Sequence, residues 1–165
     1  MLMGDSMRNN LFTTLSFAVL LFTPLLCDAA TKIDDPAKFV SSVYAKMAKS
    51  TDYAAPDDIY TPRLVNLFAI EKKDSGGEVG RLDFDFWSNS QDWELKDIKV
   101  KEEPVEGAKD REIVTAKFKN IGTPEEIHFY FEKTAGGWKL DDVRSAGHEA
   151  WVLSLILKYG WDSGN

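Results

Sequence analysis

The densest group of side chains able to do chemistry is Asp83, Asp85, Gln91 and Asp92. Carboxylates two residues apart on an extended chain point to the same side, so Asp83 and Asp85 would face one ligand together, either a cation or a polar molecule. Calcium is a specific form of this idea, because Asp83, Asp85, Asn89, Gln91 and Glu94 fall on loop positions one, three, seven, nine and twelve. A calcium loop needs glycine at position six, and here Trp87 and Ser88 fill that region, which argues against it. The structural alternative is a turn in which Asp and Asn side chains accept backbone N–H groups, anchored from below by Phe84 and Phe86. The residue types favour that turn.

Asp141 and Asp142 are the next candidates: paired acids do general acid–base work when one is buried with a raised pKa. More often such a pair marks a strand bulge, one residue in water and the other bonding backbone. His128 sits between Ile127 and Phe129, so strand alternation turns it away from the apolar face, and His148 opens the last helix beside Glu149. Two histidines without shared spacing do not make a zinc site. The only cysteine is Cys27 and no G-x-S-x-G is present, so nothing resembles a nucleophilic triad. No cofactor or metal is expected.

The elements that must position these residues follow from periodicity. Asp35-Pro36 is a cap and first turn, and Phe39, Val40, Val43, Tyr44 and Met47 recur at helical spacing, predicting a helix over residues 36–50. Residues 55–60 read as a loop or single turn. Thr61-Pro62 starts a second helix, with Leu64, Val65, Leu67, Phe68 and Ile70 apolar and Gly76-Gly77 as the stop. After Gly80 the period becomes two: Val114, Ala116, Phe118; Ile127, Phe129, Phe131; Trp138, Leu140. An earlier strand over residues 93–101 changes parity between Leu95 and Ile98, which a bulge near Asp97 reconciles. Residues 120–125 and the turn Ala135-Gly136-Gly137 join successive antiparallel strands. A final helix over residues 149–159 turns Trp151, Val152, Leu155 and Ile156 inward. The expected fold is α+β: N-terminal helices packed on a curved antiparallel sheet of about four strands, then a C-terminal helix.

Upstream, residues 11–26 are apolar apart from Thr and Ser and carry no charge, and Arg8 is the one preceding cation. This reads as a secretory signal peptide, residues 1–29. Cleavage is expected after Ala29, or alternatively Ala30, and translation starts at Met1 or Met7. The run is shorter than the roughly 18–20 residues of a spanning helix, so no membrane span is expected after cleavage. Pro24, Leu25 and Leu26 before Cys27 disfavour lipidation. Cleavage removes that cysteine, so residues 30–165 form one domain without disulfides, stabilised by packing. The chain carries a net charge of −7, and no Lys/Arg cluster is visible along it, which speaks against nucleic acid. The lysines and acids of residues 96–106 read as a solvated sheet edge. The absence of an Asn-x-Ser/Thr sequon fits a periplasmic location.

The closing strand Trp138-Lys139-Leu140-Asp141-Asp142-Val143 resembles that of nuclear transport factor 2-like, cystatin-like domains. More specifically, Leu82-Asp83-Phe84-Asp85 followed by Gln91-Asp92 resembles a family of bacterial exported domains that carry LDFD and then QD. The likeness covers residues 36–158 and implies fold and location. Domains of this fold include isomerases, dehydratases, cyclases and binding modules, so fold does not select function. The expectation is a non-enzymatic periplasmic binding or accessory module for a small ligand or another envelope protein, with a homodimer through the sheet as a further option. The alternatives are an immunity-type inhibitor of a secreted toxin, or a small hydrolase or isomerase using Asp83, Asp85 or Asp142.

Overall fold

The computed structural model describes residues 30–161; the expected signal peptide, residues 1–29, lies outside them. Helix α1 spans Pro36–Met47 and α2 spans Pro62–Asp74. Each starts where a side chain meets an orphan backbone donor: Asp35 accepts from Lys38 N at 2.9 Å, and Thr61 accepts from Leu64 N at 3.3 Å. A single 3-10 turn, Asp57–Ile59, lies between them. Helix α1 ends three residues before the expected Ser50.

The sheet follows in chain order: β1 Leu95–Pro104, β2 Arg111–Asn120, β3 Thr123–Thr134, β4 Gly137–Ser145 and β5 Trp151–Val152, all antiparallel. It has five strands, where about four were expected. The register of β1 on β2 shifts between Lys96 and Lys99, and Asp97 has φ +54°; this is the bulge that the parity change required. The turn between β2 and β3 is only Ile121-Gly122, shorter than the expected residues 120–125, because Asn120 already pairs with Thr123. Ala135-Gly136 closes the next hairpin, with Thr134 opposite Gly137.

The C-terminal region departs from expectation. Trp151 and Val152 extend the sheet by pairing with Ser145 and Arg144, and helix α3 begins only at Leu153, ending at Tyr159. No local side chain caps it. Instead Asp142, reaching over from β4, accepts from Ser154 N at 3.0 Å and from its hydroxyl, which fixes the start after Val152. Leu153, Ile156 and Leu157 face inward, while Leu155, expected inside, is exposed.

Helix α1 packs against β1 and β2, and α2 against α3 and β4. The space between them and the sheet is filled. Tyr44 is wholly buried, its hydroxyl donating to Trp87 O at 2.7 Å. The Trp87 ring stacks on Phe129 with centroids 4.5 Å apart, and Tyr44 meets both rings edge-on. Val40, Val43, Leu64, Val114, Ile127, Phe131, Leu140 and Val143 close the core around this cluster. Among the described residues no helix is long and apolar enough to cross a membrane.

Candidate functional site

The segment between α2 and β1, residues 75–94, carries the four residues singled out above, and it is folded over the core by its aromatics. Phe86 and Trp87 enter the interior, and Phe84 packs edge-on against Trp151 and Trp161 at 5.4 Å each. Between these anchors Asp85 and Ser90 form a two-way backbone bridge. The Asp85 carboxylate accepts from Trp87 N at 2.8 Å and Ser88 N at 3.0 Å, closing an Asx turn. Burial pushes its pKa up, and the N–H bonds from Ser88 and Trp87 oppose the shift.

The structure therefore separates the four residues. Asp85 is drawn inward, whereas Asp83, Gln91 and Asp92 are exposed, so the two carboxylates do not face one ligand together. The chain between them is not a regular strand, and the alternation rule has no hold there. Gln91 Nε2 donates to Asp83 O at 3.0 Å. Asp83 and Gln91 wall a cleft of about 510 Å³ with Gly80, Arg81, Phe84, Asn89, Ser90, Glu149 and Trp161. Asp92 contributes its carbonyl to Asn120 Nδ2 at 3.4 Å. Among the described residues no group of three or more His, Cys, Asp or Glu side chains is gathered to hold a metal ion.

One side of the cleft is stitched by residues that the motif did not flag. Asn89 has φ +57°, a left-handed conformation tolerated by Asn better than by most residues. Its amide N donates to Glu125 Oε2 at 3.0 Å, and its amide O accepts from the Trp151 indole N–H at 2.7 Å. One side chain thus ties this segment to the start of β3 and to β5. Glu125 is buried, and burial raises its pKa, offset in part by Asn89. Gly147 closes over it: a Cβ there would lie 2.8 Å from Glu125 Oε2 and 2.9 Å from Glu126 N. Glu125 shares its strand parity with Ile127, Phe129 and Phe131, so alternation alone marked it as an acid on the covered face. Trp161 carried no such signal.

The second acidic pair is also committed to structure. Tyr130 pairs with Asp142 and Phe131 with Leu140, leaving Asp141 as the extra residue of a bulge. Asp141 accepts from Thr61 Oγ1 at 2.6 Å and from Arg63 Nη2 at 2.8 Å. Its pKa falls, because the bonds from Arg63 and Thr61 outweigh the opposing effect of burial. Asp142 caps α3, as described. Neither stands out in water, since their side chains are 18% and 19% exposed, unlike the expected split. His128 meets Glu126 at 2.8 Å, Lys117 pairs with the same carboxylate, and His148 is exposed. His128 lies on β3 and His148 in the connection between β4 and β5, not at the start of the last helix as expected, and the two share no site.

No protein-family model, curated protein or solved structure matches the chain.

Proposed function

We propose that the chain is an exported, non-enzymatic binding module, folded as a nuclear transport factor 2-like roll, and that it holds its ligand in the cleft bordered by Asp83, Gln91 and Trp161. The observation that carries this reading is where the acids go. Asp85 closes a turn, Asp141 anchors α2, Asp142 caps α3, and Glu125 is held under Gly147. Acids fixed by backbone donors and arginine hold the fold in shape. Beside them the cleft brings an accessible indole together with exposed polar groups, so that apolar contact and hydrogen bonding are offered in one place. The filled interior supports the same reading, because a ligand has to be met at the surface. Export is supported by the apolar residues 11–26 and by a body that contains no cysteine.

The test is native mass spectrometry of the full-length gene product recovered from the envelope of its host. The expected result is a chain shortened to Ala30 or Thr31 that carries a stoichiometric small molecule or envelope protein, retained in Asp85→Asn. An unprocessed cytosolic chain with no companion, or a turnover abolished by Asp83→Asn or Asp142→Asn, would overturn the proposal.

A further inference from the structure

We infer that the cleft takes a neutral polyhydroxylated ligand, a saccharide, with one sugar face laid on the Trp161 indole. This rests on the binding reading above and gives it a ligand class. Trp161 is 40% exposed although it is among the largest apolar side chains. Its ring is braced by Phe84, centroids 5.4 Å apart and planes at 87°, and Phe84 is braced in turn by Trp151. The bracing fixes the indole while leaving it open to two adjoining clefts, about 510 Å³ on the side of Asp83 and about 410 Å³ on the side of α3. Both volumes fall within the range of roughly 300–1,000 Å³ usual for small-molecule sites. The face of an indole carries partial negative charge and attracts the weakly positive C–H bonds of a saturated ring.

The polar groups around the indole select among ligands. Among the described residues, the carboxylates of Asp83 and Glu149 and the Oε1 of Gln91 line the cleft without a hydrogen-bond donor. The site therefore has a surplus of acceptors, and hydroxyl groups are the donors that match it. An anionic ligand would meet Asp83 and Glu149. A cationic one would find the charge of Arg81, in the same wall, already taken up by Leu157 O at 3.0 Å and Asp74 at 3.0 Å, and it is the rival class that the cationic comparison probe tests. A neutral ligand with many hydroxyls meets no repulsion and matches both the acceptors and the indole face.

The experiment is titration of the full-length gene product by calorimetry and tryptophan fluorescence. The probes are neutral tri- and tetrasaccharides of hexoses and of N-acetylhexosamines, with phenyltrimethylammonium as a cationic comparison. At least one saccharide is expected to bind and perturb the fluorescence. Trp161→Ala should weaken it about tenfold or more, as loss of a stacking platform does. Trp161→Phe should recover much of that loss, and Trp138→Phe, away from the cleft, should leave affinity unchanged. Saccharides that do not bind, that bind Trp161→Ala equally well, or that are outcompeted by the trimethylammonium probe would each overturn the inference. If saccharides fail while the protein from its host still carries a companion, the ligand class is wrong and the binding module stands. If there is no companion either, both fall.

Discussion

Glu112 sits on the wrong side of its strand for a charge. It shares parity with Val114, Ala116 and Phe118 on β2, and its Oε1 is shut off from solvent without a partner. Burial first, then the neighbouring Glu102 and Asp35, push its pKa up to about 7. Folded, the carboxyl keeps its proton up to that pH; unfolded, it releases it near the ordinary 4.5. Between these values the unfolded chain binds fewer protons than the native one, so stability falls as pH rises through the window and levels off above it. Glu112→Gln removes this dependence. Its melting temperature should exceed that of wild type at about pH 8 and differ little at about pH 4, as calorimetry at both values would show. A variant that melts no higher than wild type under alkaline conditions would contradict this assignment.

At the scale of elements, the turn Ile121-Gly122 places a β-branched residue at φ +48° and leaves it 63% exposed. The following Gly122 has φ +86°, so the pair has the backbone of the primed hairpin turns, in which Asn-Gly is the preferred sequence. A left-handed conformation costs a side-chain-bearing residue about 1–2 kcal/mol, and Asn reduces that cost. Ile121→Asn is expected to raise stability by about 1 kcal/mol in urea unfolding, with an unchanged m-value. A destabilised variant would mean that Ile121 makes packing contacts that offset its strain.

The same turn shows how legibility varied. Gly122 and Pro124 announced a connection, but its length was set by pairing that reached Asn120 and Thr123, and such pairing is not local information. The caps Asp35 and Thr61 lay next to the helices they start, so both helix beginnings were readable. The cap of α3 comes from Asp142, twelve residues away, and the helix was accordingly placed four residues too early, over what is β5. In the site, the turn role of Asp85 was readable from residue type, while Asn89, Glu125 and Trp151 meet only through the fold. The lysines show the same limit: Lys99 lies opposite Lys117 and Lys96 opposite Lys119, a grouping made by the register of β1 on β2.

For the molecule as a whole, the interior depends on one loop residue. Trp87 arrives from outside the regular elements and touches Phe39, Tyr44, Phe86 and Phe129. Replacing a buried aromatic by Ala typically costs about 3–5 kcal/mol, against a total stability of about 5–15 kcal/mol for an ordinary domain. Trp87→Ala should therefore lose a large part of the stability in denaturant unfolding and flatten the near-ultraviolet circular dichroism. A loss below about 1 kcal/mol would show that the cluster closes without it.

The entry of the chain into the body has a consequence for timing. Ile33 is 1% exposed, and its carbonyl accepts from Trp138 N at 2.9 Å, so the backbone is locked to β4 only three residues after Ala30. A peptidase acting after Ala29 or Ala30 needs several residues of slack chain on both sides of the bond it cuts. On the downstream side of the bond, the docked Ile33 leaves little of it. If the chain is exported as proposed, trimming would have to come before Ile33 docks, and a precursor allowed to fold first would resist the enzyme.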